Sequence, residues 1–173
     1  MISKMLSAHF AGIFLPLSLF VFMPCNGQIG IGKTSVDGDG ILDFGDSPKG
    51  IVLPLLPDLP ASPSPGTFVV DNSDLKVKVF SNGNWISLTD VPGNSDRRMI
   101  NPSAETGRGV IIGAPDSPAK GVLVLESENK ALILPKVANP HLNIPNPVIG
   151  TLCYDTVSKT LAVFDGNQWH YWK

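Results

Sequence analysis

The sequence has little cysteine and little charge. Of its 173 residues, only two are cysteines, 13 are lysine or arginine and 15 are aspartate or glutamate, which gives a net charge of −2. A disulfide-built scaffold needs several cysteine pairs, and nucleic acid or an anionic membrane surface attracts a basic protein. The composition therefore excludes a disulfide scaffold and gives no electrostatic indication that nucleic acid is a partner.

What the sequence does contain is glycine and proline, with 17 and 16 residues respectively. These two residues are the poorest formers of a helix interior, so their number argues against a helical bundle. The hydrophobic content of 43% is too high for a fully disordered chain. The composition thus favours an ordered chain made of strands and turns.

The first 27 residues have the layout of a secretory signal peptide. Lys4 gives a weakly basic start, and residues 11–23 form an apolar run that is too short to span a bilayer as a helix. Small residues at Cys25 and Gly27 fit cleavage after Gly27, so that the mature chain would begin at Gln28. A lipoprotein signal acylated at Cys25 and a retained anchor are the alternatives, although the three residues before Cys25 are large for a lipoprotein.

An exported protein is therefore expected, located in the periplasm, at the cell surface or outside the cell. Membrane attachment is expected only if Cys25 is lipidated. Cleavage after Gly27 leaves Cys153 as the one cysteine of the mature chain, which excludes an intrachain disulfide. Cys153 lies in the apolar run Gly150–Tyr154, and we interpret it as a small buried hydrophobic residue.

The rest of the chain repeats itself, at an offset of 81 residues that becomes 84 after a proline-rich stretch. The matched positions include Ile31-Gly32 with Ile112-Gly113, Leu53-Pro54 with Leu134-Pro135, Gly66-Thr67 with Gly150-Thr151, Asp71 with Asp155, and Trp85 with Trp169. The sequence therefore predicts a signal peptide over 1–27, a first repeat over 28–90, a linker over 91–108 and a second repeat over 109–173. The linker has few large apolar residues and gives no sign of docking the repeats together.

Each repeat is predicted to be all-β and to end in a three-stranded antiparallel meander. The meander strands are expected at Thr67–Asp71, Lys76–Phe80 and Trp85–Leu88, and at Thr151–Asp155, Thr160–Phe164 and Trp169–Trp172. The turn dipeptides Asn82-Gly83 and Gly166-Asn167 favour primed hairpin turns, which place a Phe opposite a Trp in each repeat. The proline-rich loops before the meanders are predicted to be neither helix nor central strand.

Several motifs suggest ligand chemistry that their surroundings do not support. Residues 27–34 fit the GxxxxGK[ST] pattern, but turn sequence follows Lys33 where a phosphate-binding helix should begin. The acidic residues between 37 and 46 do not fit a calcium loop, and His141 and His170 have no cysteine partners. No cofactor, metal site or catalytic constellation is predicted, and the protein is not expected to be an enzyme.

Trp85, Trp169, Tyr171 and Trp172 are the candidate ligand or interface aromatics. In the last strand, Trp169 and Tyr171 share one face, whereas His170 and Trp172 share the other. Both faces of this strand can be buried only if the other repeat or another chain covers the second face. Core packing and a sugar-stacking platform both remain open for these side chains.

Several segments resemble one family of secreted repeat proteins from gliding-type Gram-negative bacteria. Residues 28–32 resemble the "VGIGTT-P" opening of that family, and residues 49–54 resemble its "KGFLLPR" element. Residues 66–72 and 79–85 resemble its "GLLVYNT…YYDGTAW" close, and the second repeat matches at the equivalent positions. The resemblance implies a surface or envelope module of the tail-fibre-associated type, mostly without an assigned activity.

These observations predict a non-enzymatic exported structural or adhesion module that is tail-fibre-like. The alternative is a carbohydrate-binding module that uses Trp85, Trp169 or Trp172. Small repeats with strands apolar on both faces predict a homo-oligomer, and the resemblance implies a trimer. A surface glycan or an envelope protein is a further candidate partner. The segment Asp155-Thr156-Val157 resembles an O-glycosylation acceptor of this bacterial group, which makes Thr156 a candidate modification site.

Overall fold

The structure is a computed structural model that describes residues 27–98, 103–104, 106–107 and 109–173. The predicted signal peptide, including Cys25, lies outside these residues except for Gly27. The described part of the chain is nearly all β, as predicted, with fourteen strands and two short helical turns.

The strands of the first repeat are β1 Ile29–Ile31, β2 Gly40–Phe44, β3 Ile51–Val52, β4 Leu55–Leu56, β5 Phe68–Asp71, β6 Lys76–Ser81 and β7 Asn84–Ser87. Those of the second repeat are β8 Val110–Ile112, β9 Leu123–Leu125, β10 Ala131–Leu132, β11 Lys136–Val137, β12 Thr151–Asp155, β13 Thr160–Phe164 and β14 Trp169–Trp172. A 3-10 turn covers Ser95–Arg97, and helix α1 covers Pro140–Asn143.

The two sets of seven strands follow the same plan. Each begins with a parallel pair, β1 with β2 and β8 with β9. Each ends with an antiparallel meander, β5-β6-β7 and β12-β13-β14, to whose first strand a short parallel strand is added, β4 and β11 respectively. The prediction of two β-rich repeats that each end in a meander is therefore confirmed.

The second hairpin of each meander has the predicted register, with a Phe opposite a Trp and ring centroids 5.3 and 5.4 Å apart. The pairs are Phe80 with Trp85 and Phe164 with Trp169. Asn82 and Gly83 both have positive φ, as a type I′ turn requires, whereas in the other turn only the first central residue, Gly166, does, as in type II′. One structural device is thus used twice.

The prediction that the proline-rich loops contain no helix is wrong for the second repeat, whose loop contains the one-turn helix α1. Pro140 begins α1 because the fixed φ and missing N–H of proline suit the first position of a helix. In both repeats the residues just after the first proline of the loop also form a short strand, β4 or β11, beside the meander. The rest of each loop is irregular up to the first meander strand.

Strands of the two repeats pair with each other. β10 of the second repeat pairs in parallel with β2 of the first, and β3 of the first repeat pairs antiparallel with β12 of the second. Both repeats contribute to one buried cluster, which consists of Val70, Val77, Leu88, Ile149, Leu152 and Val163. Each repeat therefore covers part of the sheet of the other, an outcome that the sequence left open.

The first part of the linker is docked between the repeats, contrary to the sequence-based expectation. The N–H of Gly93 donates to the carbonyl of Leu75 in the first repeat, at 3.0 Å. The N–H of Asn94 donates to the carbonyl of Asp165 in the second repeat, and the carbonyl of Arg97 accepts from the N–H of Ile149. These contacts are made by backbone groups, so the polar side chains of the linker do not indicate them.

Cys153 lies on β12 in a small buried cluster with Val137 and Ala162, as interpreted from the sequence. Burial, and then the nearby carboxylate of Asp155, raise the pKa of its thiol to about 12. Because the thiolate is the reactive form, we expect Cys153 to resist Ellman's reagent at pH 8 until denaturant is added. Peptide mass spectrometry would assign the modified residue, and rapid modification of Cys153 in the native protein would contradict this expectation.

Candidate functional site

An open groove of about 710 Å³ lies on the second repeat, beside the last hairpin. Its lining includes the aromatic side chains of Phe164, Trp169 and Tyr171, together with Asn139 and His141 from the loop before β12. Nδ1 of His141 lies 3.0 Å from the Tyr171 hydroxyl, and the two rings meet edge to face. The groove thus combines aromatic surface with a fixed polar pair, which is a surface suited to stacking and hydrogen bonding.

The structure separates the four aromatic residues predicted from the sequence. Trp169 and Tyr171 line the groove, whereas Trp85 packs edge to face on Phe80 in the first repeat. The indole N–H of Trp172 donates to the Leu88 carbonyl at 2.7 Å, which ties the last strand to the first repeat. Two of the four therefore share one surface, and Trp172 has a contact between the repeats.

His170 lies beside Asp165, with Nε2 2.7 Å from Oδ2 of the carboxylate. The other carboxylate oxygen accepts from the N–H groups of Asn167 and Gln168, each at 2.7 Å. Asp165 is fully buried; one of its carboxylate oxygens closes the hairpin turn and the other contacts His170 on β14. The arrangement is that of a structural turn, because both oxygens already have partners.

Three further buried carboxylates each stabilise a turn or a loop, namely Asp43, Asp71 and Asp155. Lys33, from the motif that resembles a phosphate-binding loop, places its ammonium group 2.5 Å from Asp43. The ammonium group of Lys78 likewise lies 2.5 Å from the carboxylate of Asp71. The backbone N–H and the hydroxyl group of Ser158 donate to the carboxylate of Asp155. Lys33 is thus engaged in an ion pair, and no helix begins after it.

These hydrogen bonds lower the pKa of Asp43, Asp71 and Asp155. Burial opposes ionisation in each case, but the donors outweigh it, and the pKa of Asp43 falls to about 2. A carboxyl group whose pKa is lower in the folded than in the unfolded chain stabilises the fold above its unfolded value of 3.8. That contribution is lost as the pH falls through the folded value.

We therefore expect the melting temperature to fall as the pH is lowered from about 4 to about 2. Circular dichroism melts at fixed ionic strength would measure this. Asp43→Asn should melt at a lower temperature than the parent at pH 7, and its melting temperature should depend less on pH in this window, because it lacks one of the shifted groups. A melting temperature that stays constant between pH 4 and pH 2 would contradict the prediction.

Thr156 lies in the turn that follows β12, and its side chain is half-buried. Its N–H donates to the carbonyl of Val137 at 3.0 Å. The backbone is therefore held by β11, while the predicted O-glycosylation stays a prediction. Among the residues that the structure describes, no group of three or more His, Cys, Asp or Glu residues is placed to hold a metal ion, and no helix is long and apolar enough to cross a membrane.

The edges of the sheets form a second candidate site. β10 is an edge strand that pairs with β2 alone, and β9 pairs only with β8 within the described ranges. On β12, Thr151 and Leu152 pair with β3, but Thr67 and Phe68, at the equivalent place in the first repeat, receive no such strand from the described part of the chain. The sequence analysis predicted a homo-oligomer without locating its contact, and a position-by-position comparison of the repeats identifies these edges.

Residues 109–173 match the family model described as the phage tail like trimerisation region. The matched range is the second repeat, and it covers less than half of the chain. No curated protein and no solved structure matches.

Proposed function

We propose that the protein is a non-enzymatic, tail-fibre-like structural module that acts as a homo-oligomer, specifically a trimer. The observation that carries this proposal is the match of residues 109–173 to a trimerisation region. The all-β fold supports it, because the unpaired edge of a strand can pair with a strand of another chain. The buried carboxylates, which are engaged in turns and ion pairs, support a structural role over a catalytic one.

Exposed apolar residues support self-association. Val110, Leu123 and Leu132, on three different strands of the second repeat, are exposed large hydrophobic residues. Val110 and Leu123 are register partners in the β8–β9 pair, and Leu132 lies on the edge strand β10, so burying them against another chain would contribute to association. We propose that contact between chains covers this part of the second repeat.

Size-exclusion chromatography with light scattering on the exported protein tests this function. The expected mass is that of three chains at micromolar concentrations. A single chain that remains monomeric at tens of micromolar and still melts cooperatively would overturn the proposal.

We further propose that the protein is exported, on the basis of the signal-like residues 1–27. Mass spectrometry should find a mature chain that starts at Gln28, located in the periplasm, at the cell surface or in the medium. A diacylglyceryl group on Cys25 would instead establish membrane attachment. In native material, a glycopeptide that contains Thr156 is expected, and an unmodified peptide would argue against glycosylation there.

The groove favours carbohydrate binding as a second candidate function, with a surface glycan as the ligand. Trp169 and Tyr171 line one open surface, as stacking on a sugar ring requires. On a glycan array, Tyr171→Ala should abolish saturable binding. Trp172→Phe, outside the groove lining, is the control: it keeps an aromatic ring at the contact between the repeats and should retain binding. If neither variant changes binding, the groove is not the site.

A further inference from the structure

We propose that copies of this chain join by strand addition, with β10 of one chain pairing with β5 of the next at Thr67 and Phe68. In the same contact, β3 of the next chain pairs with β9 of the chain that supplies β10. The inference rests on the proposed homo-oligomer and specifies which surfaces meet. The occupant of the open edge is therefore a second copy of this chain.

The second repeat shows how the edge is occupied. Within one chain, β3 lies on β12 with Val52 opposite Thr151 and Ile51 opposite Leu152. The N–H of Leu53 donates to the carbonyl of Gly150 at 3.1 Å. The 84-residue offset relates Gly150, Thr151 and Leu152 to Gly66, Thr67 and Phe68 of the first repeat.

The same place in the first repeat is open. Thr151 and Leu152 are only 3% and 4% exposed, whereas Thr67 and Phe68 are half-buried. Gly66 and Gly150 have nearly the same φ, but a Cβ added to Gly150 would lie 3.4 Å from Leu53, and one added to Gly66 would meet nothing within 4 Å. The first repeat therefore has the shape of the β3 acceptor without its strand.

β10 has the free edge that this acceptor requires. The N–H of Ala131 donates to the carbonyl of Asp39, just before β2, at 3.1 Å. The N–H of Ile133 donates to the carbonyl of Leu42 on β2, at 2.9 Å. Because successive residues of a strand direct their N–H groups to opposite edges, Leu132 and Leu134 present theirs away from β2. Leu132 and Leu134 are the 81-residue equivalents of Ile51 and Leu53, the residues through which β3 binds β12. β10 can thus bind β2 and a second acceptor together.

The reciprocal pairing follows from the same equivalence. β9 corresponds to β2, but Leu123 of β9 is 42% exposed, whereas Leu42 of β2 is 2% exposed beneath β10. Val52 of β3 corresponds to Ile133, the residue that follows β10, and the N–H of Ile133 donates to the carbonyl of Leu42. Val52 itself is half exposed. One docking event therefore forms both pairs: β10 on β5, and β3 on β9.

The resulting contact between chains repeats the contact within a chain. Within one chain, the first repeat contacts the second repeat through two strand pairs, β3 with β12 and β10 with β2. Between chains, the second repeat of one chain would contact the first repeat of the next chain through the two equivalent pairs. Such a head-to-tail interface closes into a ring when the rotation per chain allows it. Three chains, with six repeats, form the ring that the proposed trimer requires.

A disulfide across the proposed contact tests it. Thr67 and Ile133 correspond to Thr151 and Val52, which face each other at a position without hydrogen bonds between them, where Cα atoms lie about 4.5 Å apart. We expect Thr67→Cys chains mixed with Ile133→Cys chains to form a disulfide-linked heterodimer on oxidation. Either variant oxidised alone should remain free of disulfide-linked dimers. The chain that carries both substitutions should give covalent products no larger than three chains.

The controls use the same chain. Val52→Cys with Thr151→Cys should form an intrachain disulfide, which shows that the geometry permits the bond. The parent protein, in which Cys153 is buried, serves as the blank. Leu132→Pro removes one N–H on the free edge of β10 and should abolish both the cross-link and the oligomer. Leu132→Ala keeps this N–H and should retain the cross-link and the oligomer, weakened only by the smaller apolar area that it buries.

The outcomes separate this inference from the proposed function. An oligomer by light scattering whose mixed cysteine variants do not cross-link would overturn the strand pairing and leave the homo-oligomer intact. A protein that is monomeric by light scattering would overturn both. A cross-linked ladder that runs beyond three chains would support the pairing and overturn the trimer.

Discussion

Leu152→Ala is expected to lower the free energy of unfolding by about 2–5 kcal/mol, the range for a buried leucine replaced by alanine. Leu152 is 4% exposed and belongs to the buried cluster that both repeats build. The cavity cannot collapse easily, because strands of both repeats surround it. Urea unfolding followed by circular dichroism would measure the loss.

Leu142→Ala is the matched control for this substitution. Leu142 lies in α1 with 73% of its surface exposed, so the same chemical change should cost less than about 1 kcal/mol. Because the cluster is shared, Leu152→Ala should also shift a single cooperative transition. Two transitions, of which only one moves, would show that the repeats fold independently and would contradict a shared core.

Local rules were sufficient to predict the meanders. Asn82-Gly83 and Gly166-Asn167 set the turn, the turn sets the register, and the register places Phe opposite Trp. Such features depend on residues close in the chain, where turn chemistry and the period of two act directly. The face shared by Trp169 and Tyr171 could be predicted for the same reason.

The contacts between the repeats could not be predicted in this way. β3 and β10 are strands of two residues each, and a short apolar segment indicates a strand without indicating its partner. His141 reaches Tyr171 from a separate loop, and Trp172 donates to a backbone carbonyl in the other repeat. These pairings depend on how the repeats dock, which no local pattern encodes.

Gly93→Ala is expected to release the docked part of the linker. A Cβ at this position would contact the carbonyl oxygen of Asp165, and it would lie 2.6 Å from that of Leu75 and 2.7 Å from Cδ1 of Ile149. These two backbone oxygens belong to the hairpin turns at Leu75 and Asp165 and cannot move aside as a flexible side chain can. Overpacking of this kind costs about 1–3 kcal/mol. Because φ at Gly93 is not positive, the effect is steric rather than conformational.

Trypsin reports this change directly, because Arg97 lies at the end of the docked segment and its carbonyl accepts a hydrogen bond from Ile149. If the substitution favours the undocked segment by about 1.4 kcal/mol, cleavage after Arg97 should accelerate about tenfold, since cleavage follows the open population. Gly121→Ala is the matched control. It also lacks a positive φ, and the nearest atom to its added Cβ lies 3.5 Å away, so its cleavage rate should equal that of the parent. Equal rates for Gly93→Ala and the parent would mean that the segment between the repeats is open in solution, and the docked linker would then contribute nothing to their packing.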